Sequence, residues 1–166
     1  MTNHQFSTNP SDSVLNFLKA DNNFLLIAHT NPDGDAIGAM LGMSLILEKL
    51  GKNSTILIEE DLPAEFKFLD GSSQVKNLES TSIEEIDYNA IIICDASEFE
   101  RTGEIATCID TSLPTLVIDH HVIDSNQSDT TDKLLFIDSH ASSTAELIYR
   151  IAKRLTISLD SSIATL

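Results

Sequence analysis

Residues 28 to 39 read AHTNPDGDAIGA, and within them His29, Asp33 and Asp35 fall inside seven positions, directly after the apolar run Phe24-Leu25-Leu26-Ile27. A loop that only had to turn needs Pro32 and Gly34, not an imidazole and two carboxylates. Two more apolar runs end the same way: Ala90 to Cys94 runs into Asp95, and Thr115 to Ile118 runs into Asp119-His120-His121. Singly, each has an ordinary explanation as a turn, a helix cap or a surface His pair. Together, four carboxylates and three imidazoles at three strand ends would raise one another's carboxyl pKa values unless positive charge lay among them. A divalent cation supplies that charge. Carboxylates and imidazoles without thiolates suit manganese, magnesium or iron better than a structural zinc site. Two clusters sharing one carboxylate suit a cation pair roughly 4 Å apart, which clamps a phosphoryl group and lowers the pKa of a bridging water. The matching chemistry is phosphoester or phosphoanhydride hydrolysis.

These clusters meet only if the strands that carry them run parallel, with their carboxyl ends on one edge. The order of segments predicts that arrangement. Helical spacing of Val14, Leu15, Phe17 and Leu18 behind Ser11 predicts a first helix over 11–20, followed by a strand over 24–28. A helix apolar nearly all round is expected over 35–50, closed by Gly51, with Gly38 and Gly42 allowing close packing against the sheet. Strands follow at 55–58, 90–94, 115–118 and 134–137, with shorter helices over 64–69 and 103–109. An amphipathic helix over 143–155 opens on the capping-box pattern Ser143-Thr144-Ala145-Glu146, and a further helix starts near Asp160. Alternating strands and helices predict an α/β fold, a doubly wound and mostly parallel sheet with helices on both faces.

The chain of 166 residues carries a formal charge of −16, with 42% hydrophobic and 22% charged residues. So acidic a chain has no extended basic footprint for long duplex nucleic acid. Its acidity is either a general solubility trait or, in part, a set of Asp residues that hold divalent cations through which a phosphate would be met. No apolar run approaches a membrane span of roughly 20 residues, and the polar stretch 1–12 lacks the apolar core of a secretory signal. Cys94 and Cys108 both lie in apolar segments and are expected as two buried, reduced thiols of a cytoplasmic protein.

His29-x-x-x-Asp33-x-Asp35, Asp95 and Asp119-His120-His121 resemble, in order and spacing, the first three motifs of the DHH phosphoesterase superfamily. HTNPDGDAIGA, CDASEFERTG, VIDHH and IDSHASSTAELIY look closest to its bifunctional oligoribonuclease and PAP phosphatase subfamily (the nanoRNases). RecJ-like exonucleases, family II pyrophosphatases and cyclic-di-AMP phosphodiesterases are more distant relatives. The resemblance implies two Mn2+ ions, with Mg2+ or Co2+ as substitutes. His29 and Asp33 would hold the first, Asp35 and His120 the second, and Asp95 would bridge both. His121 would contact the substrate phosphate or position a ligand, and Asp119 would orient a histidine from behind. Asn126 matches a family Asn in the loop after the His pair and Arg101 follows the second motif, each as a phosphate or a structural contact, while Ser142, Ser143 and Thr144 line the same edge or cap the helix that follows.

The superfamily pattern continues beyond what this sequence holds. Its fourth motif, an Asp at another strand end, and its smaller glycine-rich substrate domain are expected after residue 166. Residues 13–166 are accordingly read as a DHH domain that stops before the fourth motif, preceded by a polar tail over 1–12. The expectations that follow are a weakened second cation site, weak or absent turnover, and an exposed sheet edge or apolar helix face, for example at Leu147 and Ile151, that favours self-association into a homo-oligomer. The leading functional expectation is hydrolysis of short oligoribonucleotides from one end and of 3′,5′-bisphosphoadenosine to AMP. The alternatives are the same fold acting on a cyclic dinucleotide, single-stranded DNA or pyrophosphate, and a non-catalytic fragment that binds metal or nucleotide.

Overall fold

Period-two alternation within the apolar runs decides which layer each side chain joins. In the computed structural model, which describes residues 8–122 and 133–158, six strands form one all-parallel sheet. They are β1 (Asn23–Ala28), β2 (Asn53–Ile58), β3 (Lys76–Asn77), β4 (Ala90–Cys94), β5 (Thr115–Asp119) and β6 (Leu134–Ile137), in the order β3-β2-β1-β4-β5-β6. Leu26 stands between Ile56 on one side and Ile92 on the other, and Cys94 stands opposite Ile118. Phe24, Leu26, Ala28, Ile92, Cys94, Leu116 and Ile118 belong to one core layer, and Leu25, Ile27, Ile91, Ile93 and Val117 to the other.

The first layer is completed by α1 (Asp12–Ala20), α2 (Gly34–Lys49) and α4 (Thr144–Arg154). Each helix starts on a side-chain cap: Ser11 accepts from Val14 N, Asp33 from Asp35 N and Ala36 N, and Ser143 from Glu146 N. α2 buries Ala36 through Met43 without interruption, Gly38 and Gly42 included, so it lies inside the layer and not on top of it. It ends at Gly51, whose φ of +74° lets Gly51 N bond Glu48 O and Lys52 N bond Leu47 O. The second layer is thinner, built from the one-turn α3 (Ile105–Cys108), short 3-10 turns at Ile83–Glu85 and Phe99–Thr102, and Phe99, Ile105 and Ile109 beneath them.

Several expectations are corrected. The helix expected over 103–109 is present but is the single turn of α3, preceded by the 3-10 turn at Phe99–Thr102, and Cys108 is exposed on it; only Cys94 is buried. The helix expected over 64–69 is a single 3-10 turn at Ala64–Phe66, and the two-residue β3 has no counterpart in the sequence pattern. Leu147 and Ile151 are fully buried, because α4 packs on α2 and β5 and shares their core. Among the described residues the exposed large apolar side chains are Phe68, Val122, Leu135 and Tyr149, of which Leu135 lies on the edge strand β6. No helix of the described residues is long and apolar enough to cross a membrane. The helix expected from Asp160 lies outside the described residues.

Candidate metal centre

The sheet order reverses direction between β1 and β4, and open parallel sheets bind ligands at such a switch point, beyond the carboxyl ends of the strands. The three clusters converge there. His29 follows β1, Asp95 follows β4 in the left-handed region at φ 59°, and Asp119 is the last residue of β5. Asn31, two residues after His29, is also left-handed, at φ 51°. Gly103, at φ 63°, lets the loop after β4 lie against Thr30 and Glu59, and Thr30 N bonds Arg101 O at 2.8 Å.

Hydrogen bonds set the faces of the imidazoles. His29 Nδ1 lies 2.8 Å from Thr30 O; a carbonyl only accepts, so Nδ1 donates there and Nε2 is turned to Asp95 Oδ2 at 3.4 Å. His121 Nδ1 lies 2.7 Å from Asp119 Oδ1, which also accepts His121 N at 3.0 Å, so Asp119 orients this ring from behind. His120 Nε2 stands 3.5 Å from Asp35 Oδ2 and 3.8 Å from Asp95 Oδ1. The two histidine rings are tilted with centroids 4.4 Å apart. His121 is the most open of the three imidazoles, 45% exposed against 24% for His120 and 15% for His29.

The carboxylates sit in contrasting surroundings. Asp95 is 2% exposed; burial pushes its carboxyl above the usual range, the Asp35 and Asp119 charges add to that, and Thr144 and His121 oppose it. Burial, helped by the same carboxylates, also raises the Cys94 thiol, which is inert by consequence. Asp33 Oδ1 is engaged as the cap of α2. Asp35 accepts Thr144 N at 2.7 Å on Oδ2 and Ala145 N at 2.9 Å on Oδ1. Asp119 is fully buried, and its Oδ2 is the buried side-chain atom left without a hydrogen-bond partner among the described residues.

Two groups have donor atoms all within 4.8 Å of one another: His29, Asp33 and Asp95, and Asp95, His120 and His121. They share Asp95. Imidazole nitrogen plus carboxylate oxygen at this spacing fits a divalent cation in each group, and the mutual charge of Asp95, Asp35 and Asp119 favours one. Asp35 lies outside both groups, held by α4, although it stays beside His120. Arg101 reaches this edge through its carbonyl, with an exposed side chain. Asn126 lies outside the described residues. Ser142 and Ser143 serve α4: Ser142 N and Oγ both donate to Glu146 Oε2 at 2.8 Å, while Ser143 Oγ accepts Glu146 N. Thr144 does more than the capping pattern suggests, since its Oγ1 donates to Asp95 Oδ1 at 2.8 Å across 49 positions.

One support lies wholly outside the sequence expectations. Asp138, 1% exposed at the end of β6, accepts Arg150 Nη1 at 2.7 Å, while Arg150 Nη2 bonds Glu146 Oε1 and Nη1 also bonds Thr8 O. Burial pushes the Asp138 carboxyl up, but Arg150 and the His140 amide outweigh it and hold it below the usual range. Glu146, bonded by Ser142 and Arg150, falls to about 2. This network fixes the start of α4 against β6.

Fold and edge together define a class, a doubly wound α/β domain with a candidate metal centre at its switch point. Residues 23–166 match the DHH family, N-terminal domain, and the chain belongs to that family of phosphoesterases. It is 28% identical over 127 residues to the bifunctional oligoribonuclease and PAP phosphatase NrnA of Bacillus subtilis, covering 76% of this chain and 37% of the relative. It is 24% identical over 140 residues to a probable manganese-dependent inorganic pyrophosphatase of Enterococcus faecalis, covering 84% and 44%. The chain thus spans less than half the length of either. The crystal structure of an exopolyphosphatase-related protein from Bacteroides fragilis superposes with a TM-score of 0.74 at 22% identity, over 87% of this chain and 43% of that one, and shares the fold.

Proposed function

We propose that this chain is the metal-binding part of a phosphoesterase that hydrolyses short oligoribonucleotides from one end and 3′,5′-bisphosphoadenosine to AMP. The observation that carries the proposal is the pair of three-residue donor groups joined through the buried Asp95. His29, Asp33 and Asp95 would hold one Mn2+, and Asp95 and His120 of the second group the other, with Asp35 brought in from beside His120. Cations held there would activate a water for attack and offset charge on the phosphoryl group. The protein's own part is orientation. His29 is fixed through Thr30, and His121, the most open imidazole, is aimed by Asp119 to donate from Nε2 to a phosphate oxygen when protonated. Arg101 and Asn126 would add phosphate contacts. The charge of −16 favours a small substrate gripped by metal over a long polyanion.

The pyrophosphatase relative supports a second reading, with pyrophosphate as substrate. Against it, Arg101 is the sole guanidinium near the three motifs. The test is Mn2+-dependent hydrolysis of a labelled diribonucleotide, 3′,5′-bisphosphoadenosine and pyrophosphate by the chain, with Asp95→Ala as control. Nucleotide hydrolysis lost in the control supports the proposal, faster release from pyrophosphate favours the second reading, and no Mn2+ binding in any assay refutes both.

A further inference from the structure

Thr144 is fully buried at the first position of α4 and touches two carboxylates that come from different strand ends. Its hydroxyl donates to Asp95 Oδ1 at 2.8 Å and its amide to Asp35 Oδ2 at 2.7 Å. Helix capping does not explain the hydroxyl's bond, because Ser143 is the cap of α4 and bonds Glu146 N, while the amide is a free first-turn N–H that Asp35 satisfies from another element. Asp95 has no water to turn to at 2% exposure, so removal of this hydroxyl leaves Oδ1 without its hydrogen-bond donor.

We infer that Thr144 is a positioning residue for the cation centre: its hydroxyl fixes the orientation of Asp95, the carboxylate common to both donor groups, while its amide fixes Asp35. The inference rests on the metal-centre reading above. A hydroxyl hydrogen on Oδ1 stops rotation of the carboxylate and leaves that oxygen's second lone pair, and all of Oδ2, toward the donor groups. Outer contacts of this kind alter metal affinity by about 10–100-fold when removed. α4 is itself tied down by Arg150 to Asp138 and by Glu146 to Ser142, so the two bonds arrive from a rigid element.

Thr144→Val separates the two contacts, since valine keeps the volume and the amide to Asp35 and loses only the hydroxyl. Mn2+ binding to the full chain, followed by the electron-spin resonance of free Mn2+, is expected to weaken about 10–100-fold at the tightest site in Thr144→Val. Thr144→Ser is expected to recover binding to within about threefold of the parent. Ser143→Ala, which removes the cap, is expected to lower the melting temperature in EDTA yet leave the Mn2+ constant of the folded protein within about threefold. A purely structural Thr144 would behave like Ser143. Unchanged Mn2+ affinity in a folded Thr144→Val, or loss of binding in Thr144→Ser equal to that in Thr144→Val, overturns the inference alone. A parent chain that binds no Mn2+ overturns the metal-centre reading as well.

Discussion

Replacing Asp95 by asparagine should make the metal-free protein more stable and the metal-bound protein less so. Asparagine suits φ 59°, retains an oxygen for the Thr144 hydroxyl, and places its amide nitrogen beside His29 Nε2, now 3.4 Å from Asp95 Oδ2. It removes a buried negative charge. His120 Nε2 lies 3.8 Å from Asp95 Oδ1 and 3.5 Å from Asp35 Oδ2, so these oxygens are at most about 7 Å apart, and with an effective dielectric constant of about 20 they repel by about 2 kcal/mol. For a domain of this size that corresponds to a melting temperature about 4–8 °C higher in EDTA. In the parent, Mn2+ at about a hundred times its dissociation constant adds about 2.7 kcal/mol, and Asp95→Asn should forfeit most of that rise. The pH dependence follows from the raised Asp95 carboxyl. The folded state holds this proton more tightly than the unfolded state, so the contribution of Asp95 to stability falls as pH rises from the ordinary carboxyl value, near 4, to the raised one. Thermal unfolding of both proteins in EDTA, at a series of pH values, should show the gap widen across that window. A variant no more stable than the parent in EDTA, or one that keeps the full Mn2+ shift, would refute this account of the centre.

Arg150→Met leaves Asp138 buried without its guanidinium and should cost about 3 kcal/mol in urea unfolding at neutral pH; a loss below about 0.5 kcal/mol would contradict the network. Because the folded Asp138 carboxyl is depressed, its contribution is present above the ordinary carboxyl value and lost as pH falls through the folded one, so the same variant should flatten acid unfolding. Gly103→Ala places a Cβ against Glu59 and Thr30 at φ 63°, and should cost about 2 kcal/mol by chemical denaturation while disturbing the Thr30 to Arg101 bond behind His29; equal stability would mean the loop yields freely.

The strand ends were legible because buried parallel strands are continuous apolar runs, and Asp95 or Asp119 after such a run is conspicuous. Once parallel pairing is assumed, convergence of His29, Asp95 and His120 follows from topology alone. Bonds of long sequence separation were not legible. Nothing near Thr144 announces a hydroxyl aimed at Asp95, and its place in a capping pattern offers a sufficient local explanation. The burial of Leu147 and Ile151 could be read only by asking what covers α2, a helix apolar on every side that needs α4 as well as the sheet. An apolar segment alone does not bury Cys108, which ends the single turn of α3 with its side chain exposed. Arg150 and Asp138 are twelve residues apart across a strand end and a helix, a spacing with no local signature.

The amino termini of α2 and α4 both point into the candidate centre, through Asp35 N and Ala36 N on Asp33 and through Thr144 N and Ala145 N on Asp35. Helix amino termini carry partial positive charge and favour anions. Two of the carboxylates are therefore already partly neutralised by peptide N–H groups before any ion arrives, and they donate less to it than free carboxylates would. Such a shell would grip an ion loosely and leave it electron-poor. Its occupancy should track the divalent ions in the surrounding solution, with exchange during dialysis against a chelator while the sheet and its helices stay folded.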